Sequence, residues 1–347
     1  MEFKLSELQK HVQHNCHISD ATHAGNYTLC IYLLKMREYY RWEHNLGFNE
    51  RIENDSIGSW LTERESYWEA LEQASIKPVL IGDEKFEPFD IDGINKAIEK
   101  ENLIYSAGYI LRGKPHFFLA DLKQVHNHDG FSIIISGKEH ARELSAPPAL
   151  SQGNKIYIRS ESLRRTVWEK VEESLWNKGQ SPLVRAISCY DFKNNMEDSL
   201  TLLCESEIET LVAHEIGEVL AGKELGECWH QMISAADHAP LELMLRSIRD
   251  NLADCISTIP DIIENLQSAR LHFYIANIGP MRKSLFPALR DAYDKWLSDG
   301  SSVDLVNIAR RGKEHWLSLA EDLQDLFKKE GKIDPELFQG VIESRTL

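Results

Sequence analysis

Residues 104–136, IYSAGYILRGKPHFFLADLKQVHNHDGFSIIIS, read differently from the rest of the chain. Aromatic and β-branched residues come in short runs closed by the clusters RGKP and NHDG. Gly, Asn and Asp tolerate the backbone angles that tight hairpins need, so this punctuation points to antiparallel strands. Further on, the turn QGN leads into a last run, KIYIR at 155–159. The segment 78–160 is therefore expected to form an antiparallel meander of about four strands. SGKEHAREL, with APPA after it, reads as a tight turn near a sheet edge.

On both sides the spacing is helical. In 1–77 a short helix covers SELQKHVQH. A second is expected to start at Ser19 as N-cap, with Asp20 in its first turn, and to bury a stripe of Leu29, Leu33, Met36 and Tyr40 before stopping near Gly47. A third covers WLTERESYWEALEQA. In 161–347 helical patterns occupy 161–177, 198–223, 240–259, 269–278, 280–297 and 302–329. The expected fold is a predominantly helical α+β protein whose small antiparallel sheet packs with flanking helices. Its regions would be 1–77, 78–160 and 161–347.

Composition narrows the partners. In 347 residues, 39 Lys and Arg face 55 Asp and Glu, a net charge of −16. Phosphate affinity rests on basic side chains, so neither nucleic acid nor an anionic membrane is an expected partner. The basic and aromatic run MREYYRWEHN is interleaved with Glu38 and Glu43, which favours intramolecular pairing. None of the 6 cysteines forms a C-x-x-C pair. The start lacks a basic segment followed by an apolar run, and no stretch is long and apolar enough to span a membrane. Cytoplasmic location with reduced thiols is the expectation. No G-x-G-x-x-G, Walker or G-x-S-x-G pattern occurs.

The candidate chemistry lies at 211–226, LVAHEIGEVLAGKELG. On a helix His214 and Glu218 project from one face, and Glu215 lies about 100° further round. The stretch resembles the metal-binding helix of metzincin-like zinc peptidases, His-Glu-x-x-His-x-x-Gly-x-x-His. His214 and Glu215 match, whereas Glu218, Ala221 and Glu224 replace the second His, the Gly and the third His. The resemblance implies a metal-bound water polarised by Glu215 as general base. A second amphipathic helix, 241–259, stacks Glu242, Arg246, Asp250 and Asp254 opposite a stripe of Leu241, Leu245, Ile248, Leu252, Cys255 and Ile259. Facing helices could combine His214 and Glu218 with Asp250 or Asp254 around a divalent ion, whether zinc, manganese or iron. A small-molecule or peptide substrate would then be attacked by water.

Two other readings compete. Ile208, Val212, Ile216, Val219 and Leu220 cluster opposite His214, Glu218 and Glu207, as on an ordinary surface helix. The charged faces would then be solvated, in a non-enzymatic interaction or regulatory protein. Alternatively HVQHNCHISDATH supplies a thiol. Cys16, just before the expected helix start, would gain thiolate character and pair with His14 or His17.

Overall fold

The structure, a computed structural model, describes residues 3–48, 50–110, 113–176 and 179–347. Part of the expected RGKP turn, and the end of the 161–177 helix, lie outside the described residues. Contacts divide the chain into two compact units. One holds Met1–His126, Ile134–Pro148 and Tyr157–Trp168; the other holds Asn127–Ile133, Ala149–Ile156 and Glu169–Leu347.

The first unit begins with α1 (Leu5–His23), α2 (Leu29–Glu43) and α3 (Asn54–Glu69). Helix α1 runs through Ser19 and Asp20, so the expected helix start there is corrected. Asp20 is no cap. Its buried carboxylate accepts from Lys114 Nζ at 2.9 Å and from the Leu144 amide at 2.8 Å. Leu8, Val12 and Cys16 of α1 join Val79, Ile94, Tyr105, Phe117 and Leu119 in one apolar cluster. Helix α2 buries only its second half, Met36, Tyr39, Tyr40 and Trp42, whereas Leu29 and Leu33 are 70% and 45% exposed. The expected stripe thus holds for Met36 and Tyr40 alone.

A hairpin of β1 (Val79–Ile81) and β2 (Glu84–Phe86) and the helix α4 (Ile91–Ala97) precede the main sheet. That sheet contains β3 (Leu103–Ile110), β4 (Lys114–His128), β5 (Phe131–Arg142), β6 (Ala149–Gln152) and β7 (Lys155–Arg159), in the order β3-β4-β5-β7-β6. The expected four strands are corrected to five, the addition being β6. The expected turn in SGKEHAREL is corrected too, since residues 136–142 are the second half of the central strand. Its charges disguised it. Glu139 is buried and takes Arg159 Nε at 3.0 Å, Arg159 Nη2 at 3.1 Å and the Ser162 hydroxyl at 2.7 Å. A charged residue can occupy a sheet interior when its partners are buried with it.

Helix α5 (Ser160–Trp176) follows β7. The second unit then holds α6 (Pro182–Ser188), α7 (Met196–Ala235), α8 (Ala239–Ala253), a π-helical turn (Asp254–Thr258) and α9 (Ile259–Glu264). After these come α10 (Ser268–Asn277), α11 (Pro280–Leu285), α12 (Pro287–Asp299), α13 (Val303–Glu330) and α14 (Pro335–Glu343). The 40 residues of α7 bend at Gly226, whose φ of 72° suits a residue without Cβ. The stripe Leu241, Leu245, Ile248, Leu252, Cys255 and Ile259 is buried throughout, as its period requires. It packs with Trp229, Trp316, Leu319 and Phe338 in the core of this unit. The expected helix 280–297 is split before Pro287, which has no amide hydrogen to continue the ladder and restricts Phe286. Among the described residues no helix is long and apolar enough to cross a membrane.

Candidate functional site

A glycine positions the site. A Cβ added to Gly217 would collide with the Ala253 carbonyl oxygen, so only glycine lets α7 approach the end of α8 this closely. From the opposite side, a Cβ on Gly312 of α13 would strike Cys255 Sγ. The π turn is thus wedged between helices that present glycine to it. Single π turns inside helices are frequent at functional sites, and this one begins at Asp254.

Asp254 is the hub. Its Oδ1 accepts from His214 Nδ1 at 2.7 Å and from Thr258 Oγ1 at 2.8 Å. Its Oδ2 accepts from the Tyr274 hydroxyl at 2.7 Å and from Arg282 Nη2. Arg282 is steadied in turn, donating through Nε to Asn251 Oδ1 at 3.1 Å. On the far edge of the imidazole, His214 Nε2 lies 3.4 Å from Glu218 Oε1. Arg249 Nη2 stands 3.0 Å from that same oxygen and 3.0 Å from Asp250 Oδ1. The cluster is graded in depth. Asp254 is 1% exposed, while the side chains of His214, Glu218, Arg249 and Asp250 are 20–23% exposed.

These contacts set the protonation states. Burial works against the imidazolium, but the Asp254 and Glu218 carboxylates outweigh it and hold His214 well above the ordinary imidazole value. Burial alone would raise Asp254; Arg282 and His214 instead hold it below the usual carboxylate range. Glu218 is drawn down to about 2, against burial, by His214 and Arg249. Glu215 goes the other way. It is buried, bonded to Ser151 of β6, and pushed up to about 7 by burial and then by the Glu218 charge. Asp250 is raised by burial and by Glu218. One helical turn of α7 therefore carries an imidazolium, a carboxylate and a carboxyl that titrates near neutrality.

The structure thus brings His214, Glu218 and Asp254 together and links Asp250 to them through Arg249. Their donors do not meet at one point. The Asp254 and Glu218 carboxylates approach different nitrogens of the same ring, so His214 stands between them. Each carboxylate also engages an arginine. Among the described residues no group of three or more His, Cys, Asp or Glu side chains is arranged to hold a metal ion. Nor is α7 divided into an apolar inner and a solvated outer face. Glu207 and Glu215 are buried, while Ile208, Val212, Val219 and Leu220 are only half-buried.

Arg249, Asn251, Thr258, Tyr274 and Arg282 were not legible as site residues. Arg249 carried a weak signal as a base beside Asp250 on an amphipathic helix. Tyr274 and Arg282 carried none, because they arrive from α10 and α11.

Cys16 belongs to a different environment. It lies in the interior of α1, corrected from the expected position before a helix start, and its Sγ donates to the Phe117 carbonyl at 3.2 Å. Burial, then Glu143 and Asp20, push its thiol well up, so the thiolate is disfavoured. His17 accepts from Trp68 Nε1 at 3.2 Å, and burial with Arg64 pushes it down to about 3. His14 is lowered by burial and Lys77.

Residues 7–159 match the model of the N-terminal domain of a family of unknown function (DUF6866), and residues 164–345 match its C-terminal domain. No curated protein and no solved structure matches the chain.

Proposed function

The chain belongs to this family of unknown function, its activity must be read from its own side chains, and we propose that the His214 cluster is the acid–base centre of a water-activating hydrolase. The observation that carries the reading is the bracketing of His214. Asp254 holds Nδ1–H on the buried side, and Nε2–H faces Glu218 on the side that reaches solvent. A carboxylate that fixes one nitrogen of a histidine leaves the other aimed for proton transfer.

Glu215 supplies the second group. As a carboxylate it accepts a proton from water, and the resulting hydroxide equivalent attacks an acyl carbon. Negative charge gathering on the acyl oxygen is met by Arg249; the acyl–leaving-group bond then breaks as the Nε2 proton of His214 passes to the leaving group, and Glu215 releases to solvent the proton it took from water while His214 regains one. A carboxyl held near 7 suits this role, since both of its protonation states are populated at neutral pH. The divalent ion expected from the sequence takes no part in this proposal, because the donors flank His214 from opposite edges and are neutralised by arginine.

The test is a panel of p-nitrophenyl esters and aminoacyl p-nitroanilides, assayed with the purified chain and with His214→Asn and Glu215→Gln. Loss of a general acid or base costs about 10²–10⁴-fold in rate. Turnover of a panel member that falls by that factor in both variants, with the helical circular dichroism unchanged, supports the reading. No turnover of any member, or turnover indifferent to both substitutions, overturns it. Elemental analysis of the same preparations reads the metal question separately. A bound ion lost in His214→Asn would restore the metal-dependent version.

A further inference from the structure

Behind Arg282 the second unit contains a cavity of about 440 Å³, within the size range of small-molecule sites. Its walls are apolar, with Leu183 of α6, Ile275 of α10, Phe286 and Leu289 among them. Four cations, Lys170, Arg282, Lys283 and Arg290, also line it, against one acid, Glu173. Three of these cations are already neutralised. Lys170 pairs with Glu173 at 2.8 Å, Arg290 with Asp294 at 2.9 Å, and Arg282 with Asp254. Lys283 has no carboxylate partner among the described residues; its Nζ donates to the Ala276 carbonyl at 3.2 Å.

We propose that this cavity binds a monocarboxylate with an apolar chain or ring, the carboxylate on Lys283 Nζ and the body against Leu183, Ile275 and Phe286. The charge balance selects the ligand class. One uncompensated ammonium above an apolar pocket calls for one negative charge on an apolar body, whereas a phosphate dianion would leave a charge unmatched. Partial burial, then the nearby Lys170 and Arg290 charges, loosen the Lys283 proton, with the Glu173 charge opposing them. The site shares Arg282 and Asn251 with the His214 cluster but does not depend on any hydrolysis there.

The experiment is titration calorimetry of the full chain with octanoate, benzoate, 1-octanol and inorganic phosphate, repeated on Lys283→Gln and Lys283→Arg. Lys283 is exposed at the rim, so both variants are expected to fold. Octanoate or benzoate should bind at least about tenfold more tightly than 1-octanol or phosphate, the factor for a charge-assisted hydrogen bond. Lys283→Gln should remove that advantage, and Lys283→Arg should restore it. Equal binding of octanoate and octanol would make the cavity merely apolar, and phosphate binding as tight as octanoate would make it a simple anion site. Either result overturns the proposal, as does carboxylate binding unchanged in Lys283→Gln, or no carboxylate binding at all.

Discussion

His214 Nδ1 and Asp254 Oδ1 lie 2.7 Å apart although 40 residues of chain separate them. Asp254→Asn keeps the shape of that contact and removes its charge, leaving the half-buried Arg282 guanidinium and the His214 imidazole without the buried carboxylate they share. Breaking a buried pair in this way costs about 3–5 kcal/mol. Urea denaturation is expected to show a loss of that order. The imidazole resonances of His214 should titrate at lower pH than in the parent chain. A His214 titration that does not move would mean that some other group holds its proton.

Stability should fall as the pH rises through neutrality. Glu215 and Glu207 are held up to about 7 and about 8, chiefly by burial, from an ordinary 4.5. A carboxyl with a raised folded value binds its proton more tightly when folded, so its contribution is lost between 4.5 and the folded value. The contribution of His214 is fully present below 6.5 and is lost as the pH climbs toward its raised folded value. Asp254 and Glu218 act oppositely, failing only in acid as the pH drops below 3.8 and 4.5. His17 and His116, pushed down to about 3 and about 4 chiefly by burial, bind their protons less tightly when folded and so add stability as the pH rises to 6.5, which offsets the two carboxyls over that range. Urea midpoints should therefore begin to fall only above about pH 6.5. Glu215→Gln should remove the Glu215 share of the loss between 4.5 and 7, so that midpoints rise with pH over that range relative to the parent chain, and an unchanged profile there would remove Glu215 as a contributor.

Two glycines of α7 should respond in opposite directions. Gly217→Ala places a methyl group against the Ala253 carbonyl oxygen, forcing the helices apart at a cost of about 1–3 kcal/mol. At Gly222 the nearest foreign atom to an added Cβ is 3.9 Å away, so Gly222→Ala should stabilise the helix by up to about 1 kcal/mol. Thermal melts of the two variants give the comparison directly. Equal shifts would deny the close approach at Gly217.

The cysteines should divide by burial. Cys30 and Cys189 are exposed, Cys228 is intermediate, and Cys16, Cys204 and Cys255 are buried. With a neutral disulfide reagent, Cys30 and Cys189 should react in the first phase, and Cys16 only when the chain unfolds. Fast labelling of Cys16, read by peptide mass, would revive it as a nucleophile.

The helices were legible where burial follows a simple period. The stripe from Leu241 to Ile259 was readable because each of its members faces one core. The second half of β5 was not readable. Glu139 and Arg142 look like solvent-facing residues until Arg159 and Ser162 are brought beside them. Helix α7 misled for the same reason, since Glu207, which the pattern groups with His214 and Glu218 on the polar side, is buried. Spacing singled out His214, Glu218, Asp250 and Asp254. It could not tell which aspartate touches the imidazole, because the π turn at Asp254 shifts the helical register that spacing assumes.

By itself the sequence determined that the chain is predominantly helical with a β-rich segment between helical parts, and which residue types could do chemistry. Periodicity fixes the direction of a side chain about its own helix axis, and that needs no other part of the chain. Only the tertiary structure decided that Arg282 and Tyr274 meet Asp254, that Asp254 and Glu218 approach opposite nitrogens of the His214 ring, and which carboxyl titrates near neutrality. Those outcomes depend on distance and desolvation between residues far apart in the chain, and charge interactions change steeply with both.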